Sequence, residues 1–235
     1  MSLRILSLLA IGLGVNAIPY NTFDGEGFPA CKDVRQIINA TSVDQMVAVV
    51  KDAVKSGAKV RASGKGHMWY DTMCSDDPNT IIVRTEEVND IYDLDLEGGS
   101  VMIEAGVTFF QLAEYLHARG GSVGYTLVNW NITLAGSVAM GAHRSSLRED
   151  SMVAAGVLSI DIIDGTGTLR HIERDNNNDD WLAASTSLGL LGVIARMKFK
   201  IYPGESCKIP CRSGLNTLTR GHARLQGLRH AEDSG

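Results

Sequence analysis

Three short segments that are rich in glycine and other small residues constrain this chain more than any other feature of its sequence. They are "VRASGKGH" at 60–67, "LAGSVAMGAH" at 134–143 and "SLGLLGVI" at 187–194. The first begins inside a stretch with the apolar pattern of a strand, and the third leads into another such stretch. Glycine has no side chain, so such segments let backbone N–H groups approach a ligand closely. Their spread along the chain indicates one extended ligand.

The first segment ends a small α/β unit. Ser42 and Gln45 stand at the N-cap and N3 positions of a capping box, and Gly57 ends the predicted helix. Apolar residues recur between them at helical spacing: Met46, Val47, Val50 and Val54. Strands are predicted at 59–63 and, after a turn-rich stretch, in "TIIVRT" at 80–85.

A second unit follows it. The segment "SVMIEAG" predicts a strand, and Thr108 and Gln111 form a capping box for a helix that ends at Gly120. The stretch "VLSIDIIDGTGTLRHI" predicts a hairpin that turns at residues 164–167. Residues 193–202 alternate strictly, which predicts a strand with one apolar face: Val193, Ala195, Met197, Phe199 and Ile201.

Composition limits the class of partner. The 235 residues are 44% hydrophobic with a net charge of -5, so a sizeable core is expected and no basic surface for nucleic acid. Small molecules are the expected partners. The N-terminus has Arg4, an apolar run at 5–15 and small residues up to Ala17. This pattern predicts a signal peptide cleaved after Ala17 and a secreted protein, because a membrane span needs about 20 apolar residues.

The predicted compartment affects the cysteines and two asparagines. Four cysteines would meet an oxidising environment, and the sequence leaves all three possible pairings open: Cys31, Cys74, Cys207 and Cys211. Asn39 and Asn131 each begin a sequon for N-glycosylation. A metal-binding module built on the last two cysteines with His222 and His230 is disfavoured, because the histidine spacing does not fit a zinc finger. No metal is therefore expected.

Two common nucleotide-binding motifs do not fit the glycine-rich segments. The first segment lacks the third glycine of the Rossmann fingerprint, where Trp69 stands instead. The second has Ala142 and His143 where a P-loop has lysine and serine or threonine. A tight turn that needs glycine for its own geometry is the alternative interpretation of the first segment.

Taken in order, the three segments resemble the FAD-linked oxidases of the vanillyl-alcohol oxidase/PCMH superfamily. The resemblance covers roughly 34–203 and is strongest to sugar-lactone and alditol oxidases, and looser to berberine-bridge-type oxidases. It implies an α+β, two-lobed PCMH-type FAD-binding domain, with a small α/β lobe at about 34–96. A larger lobe at 97–203 is expected to hold a mixed or antiparallel sheet with flanking helices. Residues 204–235 are expected to form an irregular tail, without the family's substrate domain.

The resemblance also implies the cofactor site. The first segment would lie on the pyrophosphate and flavin edge: Arg61, Ser63, Gly64, Lys65, Gly66, His67 and Met68. The second would follow the diphosphate and isoalloxazine: Gly136, Ser137, Gly141 and His143. The third would lie near the adenine: Gly192, Val193 and Ile194. His67 matches the position at which many such oxidases link a histidine covalently to the flavin, and a neutral imidazole is nucleophilic enough for that bond.

Three departures from the family pattern stand out. Lys65 and Met68 replace a glycine and a serine, Arg144 replaces a glycine, and the chain stops soon after Pro203, where the family carries its substrate domain. The proton acceptor of such enzymes comes largely from that domain, so no general base can be named. The implied function is a secreted oxidoreductase that passes a hydride from an alcohol, sugar-lactone or specialised-metabolite substrate to FAD, with O₂ as acceptor. The alternative is a shortened, non-catalytic remnant of the FAD domain, or a chain that needs a partner to cover the exposed flavin face.

Overall fold

The structure is a computed structural model that describes residues 34–67, 77–124, 127–144 and 150–204. The strands in these ranges are β1 (Gln36–Asn39), β2 (Lys59–Ser63), β3 (Thr80–Arg84), β4 (Ile91–Asp95), β5 (Ser100–Glu104), β6 (Gly121–Ser122), β7 (Val157–Asp164), β8 (Leu169–Glu173), β9 (Gly192–Lys200) and β10 (Tyr202–Pro203). The helices are α1 (Val43–Ser56), α2 (Phe109–His117), α3 (Leu134–Ala139) and α4 (Asp179–Ala184), with a 3-10 helix at Val153–Gly156.

Several expectations fall on residues outside these ranges. They are the signal peptide at 1–17, the four cysteines, Met68 and the tail from residue 205 onward. Among the described residues, no helix is long and apolar enough to cross a membrane.

The smaller lobe is a three-stranded parallel sheet in the order β1-β3-β2, covered by α1. The Ser42 hydroxyl caps α1 by accepting the Gln45 N–H, and Gly57 ends the helix at φ +66°, as predicted. The Gln45 side chain accepts the N–H of Thr41, one residue before the cap, so the reciprocal bond is displaced. Met46 and Val50 are buried, but Val54, which was predicted to lie on the same stripe, is 49% exposed and does not belong to the buried face.

Strand β1 is the element of this lobe that sequence analysis did not predict. Its residues Gln36–Asn39 contribute only two apolar side chains, both half-buried. The strand pairs in parallel with β3, from Gln36 beside Ile81 to Asn39 beside Arg84. Its conformation therefore depends on a partner more than forty residues away, which a local pattern does not reveal.

The larger lobe is a five-stranded antiparallel sheet in the order β4-β5-β9-β7-β8. The β7–β8 hairpin turns at residues 164–167, with Gly167 at φ +79°, and Thr108 and Gln111 form the full capping box of α2. The α+β class and the antiparallel larger sheet are confirmed. Strand β4 already belongs to this sheet, although it precedes residue 97, where the second lobe was expected to begin.

Strand β9 packs into two hydrophobic clusters. Val193 and Ala195 lie with α1 and β3 in the smaller cluster, whereas Met197, Phe199 and Ile201 lie in the larger one with α2 and α3. The register between β7 and β9 shifts between Asp161 and Ile162, and this irregularity changes which face each side chain meets. All five alternating residues are buried as predicted, but they do not share one core.

Candidate functional site

A cleft of about 1010 Å³ lies where the three glycine-rich segments meet. One wall is β2 and the loop after it, a second is α3, and a third is the turn that leads into β9. Most of the predicted site residues line it: Arg61, Ser63, Gly64, Lys65, Gly66, His67, Gly136, Ser137, Gly192 and Ile194. The fold thus brings together segments that are far apart in the sequence.

Three predicted residues do not line this cleft. Gly141 lies beyond the end of α3, where an added β-carbon would come 2.9 Å from Cγ2 of Thr186. His143 is exposed and pairs through its backbone with Met152. Val193 is only 4% exposed, and its side chain packs in the cluster with α1. These residues support the walls of the cleft without facing it.

The second glycine-rich segment is largely a helix, which sequence analysis did not predict. Residues Leu134–Ala139 form α3, and the hydroxyl of Thr133 accepts the N–H of Gly136 at 3.3 Å. The carbonyl of Thr133 also accepts the Ser137 hydroxyl at 2.9 Å. A threonine before a run of small residues is a normal N-cap signal, so this helix start has a sequence signal.

Gly64 and Thr133 connect the first two segments directly. A β-carbon on Gly64 would lie 2.3 Å from Thr133 Oγ1, so only glycine fits against this side chain. A β-carbon on Gly136 would lie 2.9 Å from the same oxygen. Both glycines are thus needed for packing within the protein, which agrees with the alternative interpretation of the first segment. The close packing also leaves the backbone of both segments facing the cleft.

Charge in the cleft is mainly positive. Lys59, Arg61 and Lys65 line it, together with the acidic Asp77. The Asp77 carboxylate lies 2.9 Å from the Lys59 ammonium. The hydrogen bond from the Asn79 N–H, and after it the one from Lys59, lowers the pKa of Asp77. An excess of cations in a partly enclosed space attracts anionic ligands.

Lys65 is held by an acidic residue that sequence analysis did not identify. Its ammonium lies 3.2 Å from Oε2 of Glu86, and the other oxygen of Glu86 contacts the Arg84 guanidinium. Two cations share one carboxylate, so the trio keeps a net positive charge beside the cleft. The contact with Glu86 fixes the direction of the Lys65 side chain. Lys65, which replaces a glycine of the family pattern, is therefore an ordered part of the wall of the cleft.

His67 contacts a second residue that sequence analysis missed. Nδ1 of His67 lies 3.3 Å from Nδ2 of Asn129, which belongs to the segment before α3. Partial burial lowers the pKa of His67, because the charged imidazolium loses hydration there. Burial therefore favours the neutral form of the imidazole.

Exposed apolar side chains form the third wall. Leu188 and Leu190 are 50% and 74% exposed, and Met140, just after α3, is 43% exposed. Leu188 adopts φ +52°, an uncommon conformation for leucine, and its N–H donates to Ala139 on α3. Exposed leucines beside glycines offer a flat apolar surface. The cleft thus suits a ligand with both an anionic and a planar apolar part.

Comparison with known proteins identifies a family whose ligand has this chemistry. The profile of a family described as "FAD binding domain" matches residues 34–173. The chain is 28% identical over 190 residues to L-gulonolactone oxidase 5 of Arabidopsis thaliana, covering 75% of this chain and 32% of that protein. It is 26% identical over 175 residues to the D-arabinono-1,4-lactone oxidase of Kluyveromyces lactis, covering 71% and 32%.

A solved structure shares the fold. Alkyldihydroxyacetonephosphate synthase superposes with a TM-score of 0.64 at 19% sequence identity, over 71% of this chain and 31% of that one. The chain thus spans about a third of the length of the proteins it matches.

Proposed function

Because the chain belongs to the FAD binding domain family of the vanillyl-alcohol oxidase/PCMH superfamily, we propose that it is the flavin-binding part of a secreted oxidoreductase. FAD is its cofactor. The proposed substrate is an alcohol, a sugar lactone or a related specialised metabolite, and the names of the matched lactone oxidases support this class. The leader-like N-terminus supports entry into the secretory pathway, and the exposed positions of Asn39 and Asn131 support their use as glycan sites.

The observation that carries this proposal is the convergence of the three segments on one cleft. Arg61 and Lys65 supply positive charge for the diphosphate, and the closely packed Gly64 and Gly136 leave backbone facing the cleft. Leu190 and its neighbours offer an apolar surface for a planar ring of the cofactor. When bound, FAD supplies the redox chemistry, taking a hydride from the substrate and passing the electrons to O₂. We also propose that His67 is the residue that links covalently to the flavin.

One observation favours a second candidate function. Leu191 is 45% exposed and does not line the cleft, and an exposed apolar side chain beside a site is typical of a surface that another protein covers. A partner chain or further protein could cover this surface. The second candidate is therefore a chain that holds FAD but turns over substrate only with a partner, or not at all.

The test is the visible absorption spectrum of the purified chain, before and after acid precipitation. Bound FAD gives a yellow protein, and a covalent bond keeps the colour in the pellet. The His67→Ala variant should lose the pelleted colour, whereas the control His117→Ala, on the exposed side of α2, should keep it. A chain that is colourless under all conditions would contradict the proposal.

Turnover is tested separately. The yellow chain is mixed anaerobically with a panel of aldonolactones and alditols, and bleaching of the flavin followed by H₂O₂ on readmission of air reports oxidation. Bleaching by no substrate would favour the second candidate function.

A further inference from the structure

The side-chain amide of Asn129 is held on both sides. The Asn131 N–H donates to its Oδ1 at 2.9 Å, which closes a local turn. Its Nδ2 lies 3.3 Å from Nδ1 of His67, a residue 62 positions earlier in the chain. The amide therefore joins a backbone turn to the imidazole in the cleft.

These two contacts fix the orientation of the amide. If the amide were rotated by 180°, its NH₂ group would face the Asn131 N–H, and two donors would oppose each other. The observed orientation satisfies both groups, so the NH₂ group must face His67. An amide NH₂ only donates, so Nδ1 of His67 must accept. A neutral imidazole that accepts at Nδ1 carries its proton on Nε2.

We propose that Asn129 is a positioning residue that holds His67 as the neutral tautomer with its proton on Nε2 and its lone pair on Nδ1. The inference deepens the proposed function and rests on it. The tautomer matters for the reaction because the proposed flavin site lies beside His67. Protonation of Nδ1 would set an N–H against the NH₂ group of Asn129. Asn129 thus keeps Nδ1 unprotonated, so that its lone pair can form a bond to the flavin once the amide moves away.

Other charged groups share the cleft and stay constant in the test. They are Lys59, Arg61, Lys65 and Asp77, with Lys65 held by Glu86 and Lys59 held by Asp77. A substitution confined to Asn129 therefore changes the partner of Nδ1 and leaves this background in place.

The sharpest variant is Asn129→Asp. Aspartate has the same shape and still accepts the Asn131 N–H, but it presents an acceptor oxygen to His67 in place of a donor. The matched control is Asn178→Asp, which adds the same charge at the N-cap of α4, where aspartate caps as well as asparagine. The Asn129→Ala variant removes the donor without adding charge.

The first readout uses protein in which His67 carries no flavin. The ¹⁵N NMR signals of the two ring nitrogens of His67 report the tautomer directly, and the signals that disappear in His67→Gln identify this residue. The wild type and Asn178→Asp should show the Nε2–H form. Asn129→Asp should move the proton to Nδ1 and lower the acid dissociation constant of His67 about tenfold or more. Asn129→Ala should increase the share of the Nδ1–H form, because the donor to Nδ1 is lost.

The second readout uses protein in which His67 becomes linked to flavin. It is the dependence of this linkage on the pH at which FAD is loaded. The fraction of flavin that pellets with the protein should reach half its maximum at a higher loading pH in Asn129→Asp than in the wild type. The Asn178→Asp control should match the wild type.

The inference is overturned if wild-type His67 carries its proton on Nδ1, or if Asn129→Asp leaves both the tautomer and the pH profile unchanged. Failure of the proposed function looks different. A colourless chain whose His67 shows the Nε2–H form would sink the proposed function and keep this inference, whereas a yellow chain insensitive to Asn129→Asp would do the reverse.

Discussion

Thr133 occupies the space that a side chain on Gly64 would need. A β-carbon at Gly64 would come 2.3 Å from Oγ1 and 2.9 Å from Cγ2 of Thr133. A β-branched side chain at a helix N-cap cannot swing away, because its hydroxyl is held by the Gly136 N–H. The first and second glycine-rich segments are therefore tightly packed against each other at this contact.

Gly64→Ala should lower the free energy of unfolding by about 1–3 kcal/mol, because the new methyl group overlaps Thr133. Urea denaturation measures the loss, and the bound FAD per chain should fall with it. Gly165→Ala is the matched control, since an added β-carbon there meets no atom within 4 Å. Adding Thr133→Ala to Gly64→Ala should recover part of the loss, and strict additivity of the two changes would contradict the overlap.

Lys65→Met should weaken FAD binding about threefold to tenfold, because the cleft loses one positive charge. The attraction between a partly exposed charge and an anion contributes up to roughly 1 kcal/mol. Quenching of flavin fluorescence measures the dissociation constant, and the effect should shrink at high salt. Lys55→Met is the control, since Lys55 pairs with Asp52 on the surface of α1. Glu86→Gln should shift affinity in the opposite direction at low salt, because it removes the negative charge beside Lys65.

His171 on β8 should make stability depend on pH. Hydrogen bonds to Glu173 and then to Asp161 raise its pKa above 6.5. Because its pKa is raised in the folded state, His171 stabilises the fold fully below pH 6.5. This contribution to the free energy of unfolding is lost as pH rises through the folded pKa. The side chain is 54% exposed, so the contribution is expected to stay below about 1 kcal/mol.

The measurement compares wild type with His171→Gln by urea denaturation at acidic and alkaline pH. The two chains should differ in the acidic series and converge in the alkaline one, and His117→Gln should track the wild type throughout. A difference that grows with pH would contradict the sign of this prediction.

Leu188→Gly should separate stability from cofactor binding. Glycine relieves the left-handed conformation at φ +52°, which costs an ordinary residue about 1 kcal/mol. Leu188 is half exposed, so little burial is lost, and stability should stay level or rise. FAD affinity should fall, because the cleft loses part of its apolar wall. Leu190→Ala keeps ordinary backbone and should weaken FAD binding without any gain in stability.

The sequence predicts best what neighbouring residues determine. Ser42 and Thr108 identify the helix starts of α1 and α2, and alternating apolar residues identify β5, β7 and β9. These signals depend on hydrogen bonds and side-chain periods within a few positions. The ordered motifs also predict which segments meet, and the cleft brings those segments together.

Tertiary contacts account for what the sequence did not reveal. Asn129 and Glu86 face the cleft residues only because the chain folds back, and neither belongs to a motif. The role of Gly64 is a related case, since its sequence predicts close approach to a ligand, whereas the contact that excludes a side chain is Thr133. Strand β1 exists because β3 supplies its hydrogen bonds.

Strand β9 has a consequence for how the molecule unfolds. Its first residues help to close the core beneath α1, and its last residues complete the core beneath α2. Neither lobe can melt without removing side chains that the other needs, so the two sheets should lose their protection against hydrogen exchange in a single cooperative step. The shared strand thereby holds the opposite walls of the cleft to one spacing for as long as either core is intact.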